Sequence, residues 1–359
     1  MSRVQVKGTI LFSCSTSRDR YDALHKAAEI IREGGIIAFP TETVYGLGAD
    51  ALNPDAVRKI FSAKGRPPDN PLIVHVRGIQ QVKQLVEAIP QEAQILAEKF
   101  WPGPLTMVLK KSTAVPEITT ANLSSVAVRV PSEPLALQLI ELTGPIAAPS
   151  ANLSGRPSPT SAQHVIEDMA GRIDGIIDGG ECTIGVESTV VNLLSNPPAL
   201  LRPGGVTLEE LQEVMGQRLM DLTRESEHEG PPLSPGMKYT HYSPRTPLYL
   251  VEGKSEPQKK QVLALVESFM IQNRRIGLLV SEELSKNLTE VKADNIEILG
   301  PRQKPLVAAQ KLFNALRRLD AAGIDVIIAE GFEEREIGHA LMNRLRKAAV
   351  EIVGPPKEA

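Results

Sequence analysis

Short apolar runs alternate along the chain with stretches of helical spacing. Runs at 36–39, 72–76, 105–109, 125–130, 146–148, 176–178 and 189–193 read as strands. Helical spacing predicts helices over 22–33 (Leu24, Ala27, Ala28, Ile31), 55–63, 79–88, 91–100, 134–142 and 208–215. Gly34-Gly35 stops the first of these, and Trp101-Pro102-Gly103-Pro104 stops the one over 91–100. Crossover lengths mix with hairpin-like links, so the pattern predicts an α/β fold whose sheet is not purely parallel. Periodicity vanishes at 224–247, where Gly230-Pro231-Pro232 and Ser234-Pro235-Gly236 read as a linker. A pure spacer needs neither the tyrosines nor the histidine of Tyr239-Thr240-His241-Tyr242, so this linker is expected to dock on something. Beyond it, strands at 248–251, 276–280, 296–299 and 324–329 alternate with helices at 258–271, 305–319 and 337–350. That order predicts a smaller doubly wound α/β domain. The expected division is 1–223, linker 224–247, and 248–359.

The chain of 359 residues has 42% hydrophobic and 23% charged residues, the balance of a globular protein. A net charge of −3 argues against a broad nucleic-acid surface, which needs clustered positive charge. Cys14 and Cys182 form no CxxC and no zinc spacing, and two thiols make a poor disulfide framework. No apolar run approaches a membrane span, and the run at 9–12 is too short for a leader core. The expectation is a cytoplasmic protein with no membrane contact.

The strand exits carry the chemistry. Residues 36–39 empty into Pro40-Thr41-Glu42-Thr43 and then Tyr45-Gly46-Leu47-Gly48. Lys64-Gly65-Arg66-Pro67-Pro68-Asp69-Asn70 places two cations on a proline-stiffened loop, and both suit phosphates. His75 sits inside a strand pattern, where a lone histidine is more often core or edge than catalyst. Ser125, Ala127 and Arg129 share one strand face by period two. A buried Arg129 needs an anion, which a structural carboxylate or a substrate would each supply. Ser150, Asn152 and Ser154 follow the strand at 146–148, and Glu187, Ser188 and Thr189 precede the one at 189–193. Arg202 stands before Gly204-Gly205. There is no GxxxxGK[ST] loop, and Gly46-Leu47-Gly48 followed by Ala51 lacks the strand–helix context of a dinucleotide fingerprint. The pattern points to an anionic, polar small molecule, handled by positioning and charge stabilisation.

PTETVYGLG, KGRPPDNPL, WPGPLT, VRVP, PSANLSG and GVESTVV, in this order, closely resemble the YrdC/TsaC-type threonylcarbamoyl-AMP synthases. SPGMKYTHYSP and GHALMNRLRKAA resemble the long form of that family, with its additional C-terminal domain. The resemblance implies a YrdC-like twisted mixed sheet with a large concave, positively charged cavity, plus a Rossmann-like C-terminal domain. It implies that L-threonine, bicarbonate and ATP, with Mg2+, give threonylcarbamoyl-AMP and pyrophosphate. Partner proteins would then transfer the threonylcarbamoyl group to tRNA, which this chain would meet only weakly or indirectly. By motif, Thr43, His75, Arg129 and Ser188 would hold threonine. Lys64, Arg66, Asn70, Ser125, Ser150, Asn152, Thr160 and Arg202 would hold ATP, with Lys64 and Arg66 stabilising charge in the reaction. Tyr242 on the linker would close over the nucleotide. No residue is assigned to the metal. Two other classes compete: a double-stranded RNA-binding protein using the same cavity, opposed by the net charge, and a carbamoyl-transferring maturation enzyme, opposed by the scarcity of cysteine for zinc fingers.

Overall fold

The computed structural model describes residues 3–223, 242–253, 255–288 and 293–354. Most of the expected linker, 224–241, lies outside them. The chain divides into two compact units, Met1–Ser154 with Ser158–Tyr239, and Gly155–Pro157 with Thr240–Ala359.

The first unit holds a mixed sheet of β1 (Arg3–Val6), β2 (Thr9–Ser13), β3 (Ile37–Phe39), β4 (Gly46–Asp50), β5 (Ile73–His75), β6 (Leu105–Lys110), β7 (Ser125–Arg129), β8 (Ile146–Ala147), β9 (Gly175–Asp178), β10 (Thr189–Asn192), β11 (Ala199–Arg202) and β12 (Met220–Asp221). Their order is β1-β2-β9-β3-β4-β8-β5-β7-β6-β10-β11-β12. Parallel pairs such as β5 with β7 and β6 with β10 alternate with antiparallel ones such as β3 with β4 and β6 with β7.

Side-chain alternation gives this sheet two unlike faces. Ala38, Leu47, Val74, Met107, Val128, Val191 and Leu200 point to one face and form a continuous core with Val57, Ile60, Val82, Leu85, Leu96, Val165 and Leu211. Those partners belong to the helices Pro54–Lys64, Ile79–Leu85, Gln91–Phe100, Ala162–Met169 and Leu208–Met215. On the other face, Phe12, Ile37, Phe39, Ile146 and Ile177 pack under the helices Ser17–Arg32 and Pro134–Thr143. Further along that second face lies a separate strip of Ile73, Val108, Ala127, Val190, Ala199 and Leu201, to which no described helix residue belongs. Period two then puts Ser125, Arg129, His75, Thr106 and Ser188 on the strip's face. The strand ends therefore carry polar groups onto the part of that face whose apolar cluster includes no described helix residue.

Local sequence rules place the edge of this region. The Asn53 side chain caps the helix Pro54–Lys64 by accepting from the backbone N–H groups of Asp55 (3.0 Å) and Ala56 (3.2 Å), and Pro54 opens it. Gly65 ends it in the left-handed region at φ 61°, turning the chain out of the helix just after Lys64.

In the second unit β13 (Leu248–Val251), β14 (Ile276–Val280), β15 (Asn295–Ile298), β16 (Val326–Glu330) and β17 (Glu351–Val353) form an all-parallel sheet in the order β15-β14-β16-β13-β17. Val262 and Val266 of the helix Ser255–Ile271 pack on Ile276, Leu278 and Val280. A Cβ at Gly277, which faces the opposite way, would meet Leu319 of the helix Pro305–Ala321 at 3.0 Å. Helices thus cover both faces, a doubly wound domain.

Candidate active site

Arg129 ends β7, and its register partners are His75 on β5 and Thr106 on β6. The three side chains stand in one row across the sheet. Arg129 is 3% exposed, and each of its guanidinium nitrogens has a different neighbour. Nη1 donates to Thr43 Oγ1 at 2.9 Å, and Nε donates to the Gly103 carbonyl at 3.3 Å. Nη2 lies 2.7 Å from Glu42 Oε1 in a buried ion pair. The loop bearing these partners is stiff. Thr41 Oγ1 donates to the Val44 carbonyl (2.6 Å) and accepts from the Thr43 and Val44 N–H groups (3.2 Å each). Carbonyls of Glu42 and Thr43 accept from the N–H groups of Ile184 (2.8 Å) and Gly185 (3.2 Å).

His75 is buried and its Nδ1 has no hydrogen-bond partner. Burial, reinforced by the nearby Arg129 charge, lowers its pKa to about 3, so the ring is neutral at physiological pH. Its edge meets the Phe39 ring, with centroids 6.2 Å apart.

A second cluster sits where β10 and β11 meet. Ser188 Oγ lies 2.8 Å from Thr106 Oγ1, and Arg202 donates to Ser188 twice, Nη2 to Oγ (3.1 Å) and Nε to the carbonyl (3.0 Å). Gly204 makes this approach feasible. A Cβ there would fall 2.3 Å from the Thr189 nitrogen and 2.4 Å from the Glu187 carbonyl oxygen. Thr106 thus links the Arg202–Ser188 pair to the Arg129 row.

The third group gathers around the Lys64 loop. Lys64 Nζ donates to the carbonyls of Ser150 (2.5 Å) and Asn152 (2.7 Å), and the Ser154 N–H donates back to the Lys64 carbonyl at 3.0 Å. Full burial, then the neighbouring Arg66 charge, holds the ammonium's pKa well below its ordinary value, with Asp168 opposing. Lys64, the last residue of its helix, therefore ties that helix end to the segment after β8 with two of its three N–H bonds. Ser150 Oγ donates to Asn152 Oδ1 at 2.5 Å. Arg66 Nη2 turns back to the carbonyls of Asn70 (3.1 Å) and Pro71 (3.2 Å). Asn70 is wholly buried, yet neither its Oδ1 nor its Nδ2 has a hydrogen-bond partner. Ser125 is buried at the start of β7. The Thr160 N–H donates to His164 Nδ1 at 3.2 Å, and the Thr160 carbonyl accepts from the Cys182 N–H at 2.9 Å.

Tyr242, the remaining expected nucleotide contact, belongs to the second unit. Its ring stacks on Phe313 with centroids 5.6 Å apart, and the Arg344 guanidinium lies 5.1 Å from its centroid. Its φ of 68° is in the left-handed region, uncommon for a tyrosine.

Sequence reasoning did not assign Glu42, Thr41 or Thr106 to the site. The first two stand inside the quoted PTET motif. Thr106 likewise closes the WPGPLT motif.

Among the described residues no group of three or more His, Cys, Asp or Glu side chains could hold a metal ion. Glu42 is engaged with Arg129, and Glu187 with the Ser158 hydroxyl. The described side chains do not form a magnesium cage.

Residues 29–204 match the family model Sua5/YciO/YrdC, described as "Telomere recombination". Residues 206–350 match the model described as "Threonylcarbamoyl-AMP synthase, C-terminal domain". The chain is 50% identical over 324 residues to the threonylcarbamoyl-AMP synthase of Pyrococcus abyssi, covering 90% of this chain and 93% of that protein. It is 49% identical to the Bacillus subtilis synthase, over 90% of this chain and 92% of that one. In structure it resembles P. abyssi Sua5 crystallised with L-threonine, with a TM-score of 0.91 and 47% identity over 96% of this chain and 99% of that one. The chain belongs to the threonylcarbamoyl-AMP synthase family and carries both of its domains.

Proposed function

We propose that this chain joins L-threonine, bicarbonate and ATP into L-threonylcarbamoyl-adenylate, releasing pyrophosphate, as a nucleotidyltransferase serving N6-threonylcarbamoyladenosine formation in tRNA. The observation that carries the reading is the row of buried polar groups on the sheet face that carries the Ile73, Val108 and Ala127 strip, in a chain so similar to curated synthases. Thr43, His75, Arg129 and Ser188 hold the threonine. Supporting this, Thr43 and Arg129 are hydrogen-bonded to each other, His75 is the register neighbour of Arg129, and Thr106 connects Ser188 to the same row. Arg66, Asn70, Ser125, Ser150, Asn152, Thr160 and Arg202 hold the nucleotide.

Asn70 supports a nucleotide role, because a buried amide without partners has donors and an acceptor to give. Magnesium enters on the phosphates as part of the MgATP substrate. Phosphoryl chemistry leaves the protein little covalent work, so catalysis rests on placing the carbamate oxygen in line with the α-phosphorus and on cations facing the growing charge. Arg66 and Arg202 supply that charge. Lys64 contributes mainly by fixing Ser150 and Asn152, since two of its N–H bonds are already given to their carbonyls. The product passes to partner proteins that modify tRNA in the cytoplasm. No described helix is long and apolar enough to cross a membrane.

The test is pyrophosphate release from MgATP and bicarbonate, with and without L-threonine. Threonine-dependent release is expected, with serine much weaker. Release indifferent to threonine from a folded protein would overturn the reading.

A further inference from the structure

We propose that Glu42 receives the ammonium group of the amino-acid substrate and takes up its proton, while Arg129 beside it holds the carboxylate. This deepens the functional reading above and rests on it. A free α-amino acid is a zwitterion, with a cation and an anion on adjacent carbons. Arg129 and Glu42 present the complementary pair of charges, 2.7 Å apart at their nearest atoms.

The state of the Glu42 carboxylate is the main evidence. Glu42 is 5% exposed, and neither carboxylate oxygen has a hydrogen-bond partner. Arg129 Nη2 likewise has no partner, so the two charges touch without a directed hydrogen bond. The guanidinium charge at 2.7 Å compensates Oε1, but Oε2 meets no donor, and a buried acceptor without one is costly. An ammonium carries three N–H donors and a full positive charge, and it satisfies both requirements together. The carboxylate is also held in place. Its own carbonyl accepts from Ile184 N–H, and its flanking residue Thr43 is fixed by Thr41 and by Arg129. A fixed charge beside the reacting centre needs no reorganisation when substrate arrives.

The chemistry requires such a group. Threonine's nitrogen must lose a proton before its lone pair can attack the bicarbonate-derived carbon. In the proposed step one N–H bond of the ammonium breaks and an O–H bond forms on Glu42. The amine becomes neutral and so does the carboxyl. Arg129, released from its protein counter-charge, then keeps its full charge for the substrate carboxylate. The proton leaves Glu42 for water after product departs. A purely structural ion pair would make no distinction between ligands with and without an amine, and this separates the two readings.

The experiment compares binding of L-threonine with binding of 3-hydroxybutanoate, which is threonine without its amino group, by calorimetry in wild type and in Glu42→Gln. ATP binding is measured alongside. Wild type is expected to prefer threonine by at least about tenfold, and Glu42→Gln to lose about 10- to 100-fold in threonine affinity. The analogue's affinity is expected to stay level or improve, and ATP binding to stay within about threefold. An unchanged preference in Glu42→Gln, or equal binding of the two ligands by wild type, would overturn the proposal. Should Glu42→Gln fail to bind ATP, Glu42→Asp decides, since it keeps the charge and must keep the preference. Failure of the functional reading looks different: wild type would then show no threonine-dependent pyrophosphate release at all.

Discussion

Replacing Arg129 by methionine tests the buried ion pair directly. The change removes the donors to Thr43 Oγ1 and the Gly103 carbonyl, and leaves Glu42 as a charge with 7% side-chain exposure and no counter-ion. Breaking a buried pair from one side typically costs about 3–5 kcal/mol, because the remaining charge has lost both water and partner. In a unit of this size each kcal/mol moves the melting temperature by roughly 2–4 °C, so the first unit's transition should fall by roughly 10 °C. The second half of the test is Arg129→Met with Glu42→Gln, in which no uncompensated charge remains. That double variant should regain at least about half of the loss. Differential scanning calorimetry of the full chain follows the first unit's transition beside the second's. A single-variant loss below about 1 kcal/mol, or a double variant as unstable as the sum of both singles, would show that the 2.7 Å contact is not an energetically coupled pair.

Gly204→Ala would push a Cβ into backbone atoms at 2.3 and 2.4 Å, so displacement must pass to Ser188. A cost of about 3 kcal/mol or more and a clear rise in KM for threonine are expected, and a variant with unchanged melting and kinetics would refute the packing argument. Arg202→Ala should lower kcat/KM for ATP by about tenfold or more, since charge-assisted hydrogen bonds to developing anions are lost; equal kinetics would remove Arg202 from the site. His75 has a folded pKa of about 3 against 6.5 in an unfolded chain. The folded state therefore binds fewer protons, and its stability must fall as pH drops from about 6.5 towards 3. His75→Gln should reduce the fall in melting temperature between pH 7 and pH 5, and identical falls would contradict neutral burial.

Much of the architecture was legible because it follows from local rules. Strand patterns such as those around Val74 and Leu278 are apolar on both faces, which fits strands with partners on either side, and the structure has strands at both. The helix expected over 55–63 is Pro54–Lys64, with Asn53 capping its start and Gly65 its end. Elements whose signal is weak in isolation went unread. The hairpin of β1 and β2 was passed over because β2 is stabilised by pairing with β9, more than 160 residues away. Gly46 and Gly48 were read as a loop, yet they lie in β4. There the absent side chain is the requirement, since a Cβ on Gly48 would stand 2.7 Å from Phe39 and Ile146. The helix Ala162–Met169 was likewise missed, although Ser161 caps it by accepting from the His164 N–H.

The site divides along the same line. Sequence alone determined which residue types stand at each strand exit, because hydroxyls, amides and arginines interrupt apolar runs there. It left the anion of Arg129 open between a structural carboxylate and a substrate. Only the tertiary structure supplied Glu42, far away in the chain, as its counter-charge. It likewise decided that the Lys64 ammonium binds carbonyls 86 and 88 positions away. The physical reason is one of range. Hydrophobic period and capping act over a few residues and are written in order along the chain. Partnership between buried charges is set by which strands become neighbours in the sheet, and no local pattern encodes that choice.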